Sequence, residues 1–329
     1  MRRRGVIAVI LLALLLGGCW DRTEVEDTVY VASIGVDDAD DEYLWTFRLV
    51  EAEKLTLGML SAVSADPGIL TSGIIAVRAS SLQQAVQLIQ PSVMRVISLE
   101  HIRWVGIGEP LAREGLTPVI SQLMRHNQMR RGANVYIVWG AALRGFQNNR
   151  PVAGVNAMKF FAGAGLIQRR FHLSPPIKLQ HLYARMSSPG VDAISAMVGV
   201  NEMAKEPLGS ELPPLGHRSL EAGEVPRNGG NLVEFMGTAV FRGDKMAGSL
   251  TVDETAAVLA LRGEMGKVYK SVEDPLEEGK YITFRFHQEN KPQFRASFRG
   301  DQPVVHVRLQ FEVELLSTPG KTDYSLPEN

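Results

Sequence analysis

The sequence contains a single cysteine, Cys19, and its thiol is the most reactive side chain near the start of the chain. It directly follows Leu16, Gly17 and Gly18, and an uncharged apolar run over 6–16 precedes it. Three arginines at positions 2–4 stand before that run. The run is too short to span a bilayer comfortably, because a transmembrane helix needs about 20 apolar residues. The pattern is typical of a secretory signal that ends at a cysteine.

This arrangement resembles the bacterial lipoprotein signal, in which the thiol receives a diacylglyceryl group and cleavage makes the cysteine the new N-terminus. We therefore predict that residues 1–18 are a signal peptide and that Cys19 is lipidated. An ordinary signal peptide and an uncleaved anchor are the alternatives. Two acyl chains would hold the protein stably, since each buried CH₂ contributes about 0.8 kcal/mol and one chain binds only marginally. The folded part would lie outside the cytoplasm, tethered to a membrane and without a disulfide.

The composition indicates a globular protein and gives no sign of a nucleic-acid-binding surface. Hydrophobic residues make up 45% of the chain and charged residues 22%, which allows a substantial core. The formal net charge is -1; removing residues 1–18 takes away three arginines and leaves 32 basic against 36 acidic residues, a net charge of -4. We therefore expect no nucleic-acid partner.

No other group of residues has the spacing of a catalytic or metal site. The zinc-protease, nucleophile-elbow and P-loop motifs are absent from the sequence. The acidic loop over 37–42 could supply calcium ligands, but it lacks the ligand spacing and central glycine of an EF-hand, so we interpret it as a hairpin tip. The histidines have the settings of boundary or surface residues: His101, His126, His172, His287 and His306. We predict no catalytic residue, no metal site and no cofactor.

Three arginines, Arg125, Arg130 and Arg131, form the one notable basic cluster in the sequence. The interpretation that we favour is a solvated helix end, where cations complement the free carbonyl groups. The alternative is a surface that meets anionic lipid headgroups or an acidic partner, because each basic residue near a charged bilayer gains about 1 kcal/mol.

The apolar patterns predict an α+β protein with three mixed domains in series. Over 19–190, short apolar strands alternate with helices, as in a sheet covered by helices. Over 191–266, strands and a helix with a capping-box pattern accompany a loop at 206–231 that is rich in Pro, Gly and charges, and that we expect to be exposed. The glycine- and alanine-rich stretch over 140–168 predicts a flexible or packing-driven segment.

The last stretch, 267–329, predicts an antiparallel β-meander. Apolar residues occupy every second position over 282–286, 294–298 and 305–315, so one face would be apolar and the other polar. The apolar face needs a cover that the sequence does not supply before it ends. We therefore expect a partial, truncated C-terminal domain.

Two segments together resemble the Ger(x)C family, the lipoprotein C subunits of nutrient germinant receptors in spore-forming bacteria. The first is GCWDRTEVED at 18–27, followed by IGVD at 34–37. The second is GTAVFRGDKMAG at 237–248, followed by Glu254 and Thr255. Weaker similarity over 101–108 and 125–131 extends the resemblance to essentially the whole chain.

The resemblance implies an extracytoplasmic subunit of three α+β domains, with no known enzymatic activity. It would be anchored through diacylglyceryl-Cys19 to the outer face of the spore inner membrane. Its expected partners are a membrane-spanning A subunit with a soluble domain and an integral-membrane B subunit. Family members typically continue with a helix and a final strand in the third domain, which is why we expect that domain to be truncated here.

Two other classes of protein compete with this interpretation. A lipid-anchored solute-binding protein of a transporter would have two similar α/β lobes around a ligand cleft, whereas this sequence ends in an antiparallel pattern and has no internal repeat. A secreted lipoprotein hydrolase would need convergent reactive groups, which the sequence does not offer.

The first testable prediction concerns the anchor. We expect Cys19→Ala to release or mislocalise the protein without unfolding it, because the thiol contributes nothing to a core. Membrane fractionation measures the release, and circular dichroism of the variant measures folding. Full membrane retention with normal germination would contradict the anchoring prediction.

Overall fold

The computed structural model describes residues 27–51, 73–152, 157–171, 173–215 and 218–318. The first strands are β1 (Thr28–Ala39), β2 (Glu42–Glu51), β3 (Ile74–Ala79), β4 (Val96–Ser98), β5 (Trp104–Gly108), β6 (Asn134–Val138), β7 (Ile177–Lys178), β8 (Ile194–Val200), β9 (Val233–Arg242) and β10 (Lys245–Leu250). The helices among them are α1 (Leu82–Val93), α2 (Glu109–Glu114), α3 (Thr117–Arg125), α4 (Ala142–Asn148), α5 (Ala157–Phe171) and α6 (Leu179–Met186). The remaining elements are α7 (Val252–Leu261), β11 (Lys267–Glu273), β12 (Tyr281–Gln288), β13 (Gln293–Arg299), β14 (Gln302–Arg308) and β15 (Phe311–Ser317).

A ten-stranded mixed sheet forms the centre of the molecule. Its order is β10-β9-β8-β6-β5-β1-β2-β3, with β4 paired to β1 and β7 paired to β6. Strands β4, β5, β6 and β8 run parallel to β1 through successive pairings, whereas β2, β7 and β9 are antiparallel to their neighbours. Hydrogen bonds continue from β6 into β8 and β9, so the sheet runs across the domain boundary that we predict at residue 190. The division into domains stays a prediction.

Helices cover both faces of this sheet, which explains why β1 is buried along most of its length. One core contains Ile34, Trp45 and Phe47 of the sheet together with residues of α1, α2, α3 and α6. The other contains Trp104, Tyr136 and Phe146, with Phe160 of α5 packed against it. The predicted α+β class is confirmed.

The described parts of the stretch over 140–168 form α4 and most of α5, which agrees with the packing-driven alternative. Its small residues allow close packing: a Cβ at Gly145 would lie 3.3 Å from the Val138 side chain, and Ala164 is buried. The composition that looked flexible in isolation is therefore what lets these helices approach the sheet.

The C-terminal strands are antiparallel, as predicted. Strands β11, β12 and β15 form a three-stranded sheet, in which Phe286 of β12 lies opposite Val268 of β11 and Val313 of β15. Strands β13 and β14 form a separate hairpin. Helix α7, which carries the capping box between Thr251 and Glu254 that the sequence predicts, precedes these strands.

Helix α4 has only seven residues and is held to the sheet by one buried charged side chain near each end. At its start, the carboxylate of Asp37, at the end of β1, accepts hydrogen bonds from the backbone N–H groups of Ala142 (2.5 Å) and Leu143 (3.0 Å). In its last turn, Nη2 of Arg48 on β2 donates to the carbonyl oxygen of Phe146 at 2.5 Å. A negative charge at the start and a positive charge near the end both complement the helix dipole.

Burial changes the titration of both side chains. It raises the pKa of the Asp37 carboxyl, and the two helix N–H groups oppose that rise. It lowers the pKa of Arg48 to about 10, so the guanidinium remains protonated at neutral pH. The guanidinium carbon also lies 5.8 Å from the centre of the Phe146 ring, which adds a cation–π contact.

Two glycines make room for this arrangement. A Cβ at Gly35 would lie 2.9 Å from the Phe146 ring, and a Cβ at Gly108 would lie 2.2 Å from Oδ1 of Asp37. Distances under about 3 Å between such atoms force a neighbour to move. The IGVD segment at 34–37 therefore supplies both the space for α4 and the carboxylate that fixes it.

The second prediction concerns this carboxylate. We expect Asp37→Asn to lower the free energy of unfolding by about 1–3 kcal/mol, because the amide leaves one buried helix N–H without an acceptor. Chemical denaturation measures the change. Asp38→Asn, on the adjacent and partly exposed residue, is the matched control and should change stability by less than about 0.5 kcal/mol. Equal stability of the two variants would show that Asp37 does not hold α4.

Candidate interaction surfaces

The residues that the sequence singles out lie in several separate parts of the described structure. Cys19, the predicted lipidation site, lies outside the described residues. Within the described ranges, no three His, Cys, Asp or Glu side chains come together as a metal site would require. In the same ranges, no helix is long and apolar enough to cross a membrane.

The predicted histidine positions are scattered. The His101 ring packs against the Tyr30 ring, with ring centres 4.4 Å apart and the planes tilted by 59°, and Nε2 of His126 lies 3.2 Å from Oε1 of Gln83. Burial lowers the pKa of each of these histidines. His287 and His306 lie on β12 and β14 in the C-terminal part. His172 lies outside the described residues.

A buried polar network holds the long loop at 206–231 against the end of β8 and the start of β9. Glu234 is 9% exposed; its Oε1 accepts from Asn201 Nδ2 at 2.6 Å and from Arg227 Nε at 2.9 Å, and its Oε2 accepts from the Gly223 backbone at 2.9 Å. Arg227 also donates to the carbonyl of Asn231 at 2.6 Å. Each charge is therefore paired and hydrogen-bonded, as burial requires.

The prediction that the whole loop at 206–231 is exposed is wrong for its second half. Leu220 and Ala222 are buried, so the second half of the loop packs onto the sheet and is not the exposed excursion that we expected. The physical reason is the carboxylate of Glu234, which draws the backbone of residue 223 and the side chain of Arg227 towards β9. The first half does expose apolar side chains: Leu208 is 84% exposed and Leu215 is 52% exposed.

The turn between β9 and β10 makes a contact that the sequence alone did not predict. The carbonyl oxygen of Asp244 accepts from the Leu116 N–H at 3.0 Å, and its carboxylate accepts from the Thr117 N–H at 3.2 Å, at the start of α3. The RGDK turn at 242–245 thus joins the last two strands of the sheet to the helices that follow β5.

An apolar groove lies between α7 and the C-terminal sheet. Its volume is about 400 Å³, and it is lined by Ala257, Ala260, Leu261, Met265, Phe286 and Phe311, among others. Apolar side chains on the neighbouring strands are also exposed, including Phe294 at 56% and Phe298 at 77%. Helix α7 therefore lies over part of the apolar side of the C-terminal sheet, while these other apolar side chains remain exposed.

The three arginines of the predicted basic cluster lie in different settings. Arg125 is exposed in the last turn of α3, as the favoured interpretation has it. Arg130 instead lies close enough to His101 for its charge to help lower the pKa of that histidine, after burial as the main cause. The backbone carbonyl of Arg131 accepts from Gln180 N at 3.0 Å, which places it where β6 and α6 begin.

Two family models match this chain. The spore germination protein N-terminal domain matches residues 21–200, and the spore germination B3/GerAC-like C-terminal domain matches residues 236–329. The chain belongs to the Ger(x)C family of spore germination proteins. Two of the segments that carry the resemblance have clear structural roles: IGVD at 34–37 holds α4, and GTAVFRGDKMAG at 237–248 joins β9 and β10 to α3.

Named relatives support this membership. The putative spore germination protein YfkR of Bacillus subtilis (strain 168) is 32% identical over 40% of this chain and 34% of its own length. From the same organism, spore germination protein KC is 26% identical over 42% of this chain and 34% of its own length. Spore germination protein B3, also from that organism, is 20% identical over 92% of this chain and 71% of its own length. The matches to YfkR and KC thus span about a third of those proteins.

One solved structure is similar to this Ger(x)C chain. A crystal structure of the GerBC protein has 13% sequence identity to it and a TM-score of 0.47. The similarity covers 90% of this chain and 75% of that chain.

The third prediction concerns the loop network. We expect Glu234→Gln to lower the free energy of unfolding by about 2–4 kcal/mol, because the guanidinium of Arg227 would remain partly buried without its counter-charge. Hydrogen exchange over 218–231 should accelerate most. Glu211→Gln, an exposed carboxylate on the same loop, is the control and should leave the exchange unchanged. Unchanged exchange in Glu234→Gln would mean that other contacts hold the loop.

Proposed function

We propose that this chain is a non-enzymatic, lipid-anchored subunit of a spore nutrient germinant receptor. It acts in receptor assembly or signalling on the outer face of the spore inner membrane. The observation that carries the proposal is the match of both family models, over 21–200 and 236–329, directly after a lipoprotein-type cysteine. Diacylglyceryl-Cys19 is the membrane attachment, and membrane-embedded A and B subunits are the partners.

The described surfaces favour binding over catalysis. The exposed leucines at 208 and 215 and the apolar groove beside α7 offer area that a partner protein can bury. The buried carboxylates Asp37 and Glu234 are both occupied by hydrogen bonds that hold the fold. Their contacts give them a structural role.

The rival class, a solute-binding protein, receives no support from the architecture. Such a protein places its ligand between two similar lobes. In the described part of this chain, one sheet of ten strands continues from β3 to β10 and is followed by a different, antiparallel unit.

The fourth prediction tests the receptor assignment. Affinity capture of this protein from detergent-solubilised spore inner membranes, followed by mass spectrometry, should recover integral-membrane germinant receptor subunits. Cys19→Ala is the control and should recover far less, because the unanchored protein does not share the membrane with them. Recovery of a transporter permease in place of receptor subunits would overturn the assignment and favour the solute-binding class.

A further inference from the structure

The end of the sheet at which β1 begins, called the basic edge below, carries several exposed basic side chains. Strands β4, β5 and β6 run parallel to β1 and so point the same way; β4 begins level with Thr28, whereas β5 and β6 begin level with Ser33. The first residue of β1, Thr28, follows Cys19 by nine residues. Nine residues span at most about 30 Å, so lipid attached to Cys19 would keep this edge near the bilayer.

Basic side chains collect at this edge although the mature chain as a whole is acidic. Arg95 precedes β4, Arg103 precedes β5, and Arg130 and Arg131 lie in the loop before β6; all four are exposed. Lys178 adds a fifth cation beside the first residue of β6. Among the residues that the structure describes, the exposed acidic ones at these strand starts are Asp27, Glu100 and Asp192, and Glu51 ends β2 opposite Val29.

Contacts hold several of these residues together as one surface. Arg103 and Arg130, together with Glu100, lie near His101, whose ring packs against Tyr30 of β1. The loop that carries Arg130 packs on the segment between β4 and β5, where Oε1 of Gln128 accepts from Leu99 N at 3.2 Å. The backbone N–H of Arg103 donates to the carbonyl of Ala32 in β1 at 3.1 Å.

An apolar corner projects from the same surface. Met94 ends α1 in the left-handed conformation (φ 58°), which residues other than glycine rarely adopt, and its side chain is 88% exposed. Val96, two residues later, is 54% exposed. The corner is fixed by Gln90, whose side chain donates to the carbonyl of Arg95 at 2.5 Å and accepts from Ile97 N at 3.3 Å.

We propose that this basic edge rests on an anionic bilayer, with Arg95, Arg103, Arg130 and Arg131 at the lipid phosphates and Met94 and Val96 in the headgroup interface. Cations around a protruding apolar tip match the charge and the polarity gradient of such an interface. The proposal rests on the anchoring proposed for Cys19. It orients the molecule: the loop at 206–231, which follows the far end of β8, points away from the membrane.

A fluorescent probe at position 94 tests the contact. The full-length, lipidated protein carrying Met94→Cys is labelled with bimane and reconstituted into vesicles of phosphatidylcholine and phosphatidylglycerol. Lipids brominated on the acyl chains quench a probe only at short range. We expect quenching at position 94 to be at least about twofold stronger than at Leu208→Cys, an equally exposed site beside Gly229 on the far loop.

Charge variants test the role of the arginines. Quenching at position 94 should fall at least about twofold in pure phosphatidylcholine and in the Arg95→Gln, Arg130→Gln double variant, because the electrostatic attraction is lost. The matched pair Arg144→Gln and Arg218→Gln, also exposed, should leave it unchanged.

Flotation of the vesicles distinguishes the absence of the proposed bilayer contact from the absence of the lipid anchor. If the protein floats with the vesicles and positions 94 and 208 are quenched equally, the basic edge does not rest on the bilayer, and anchoring stands. If the wild-type protein does not float, and its Cys19 reacts with bimane, the anchor is absent and the orientation proposal falls with it.

Discussion

Helix α4 is too short to be stable by itself, and its attachment to β1 and β2 is the constraint on which the central sheet depends. Asp37 binds its first N–H groups, and Arg48 binds a carbonyl of its last turn. The helix in turn places Phe146 against Trp104, with ring centres 4.5 Å apart, and closes one of the two cores. Strand β1, which carries Asp37, begins nine residues after Cys19, so it connects the proposed anchor to the core.

Local sequence patterns were sufficient to predict much of the fold. The alternation of Tyr43, Trp45 and Phe47 predicts the inner face of β2, and Trp45 and Phe47 are fully buried. The capping box at Thr251 and the alternating C-terminal strands are likewise found where the sequence predicts them. These features depend on residues close together in the chain, which is why the sequence reveals them.

Features that depend on distant residues could not be predicted in the same way. The Ala142 N–H bound by Asp37 is 105 residues away, and the Thr117 N–H bound by Asp244 is 127 residues away. Glu234 looks like an ordinary strand residue until Asn201 and Arg227 converge on it. The proposed attachment site at Cys19 can be predicted from the sequence alone. The basic edge becomes visible only when the order and direction of the strands are known.

We propose above all that the folded chain is held at a membrane through Cys19. The most direct measurement is the mass of the N-terminal peptide of the protein extracted from the membrane fraction of its host. We expect a peptide that begins at Cys19 and carries the mass of a diacylglyceryl group. A membrane-extracted protein whose N-terminal peptide contains an unmodified Cys19 would contradict it.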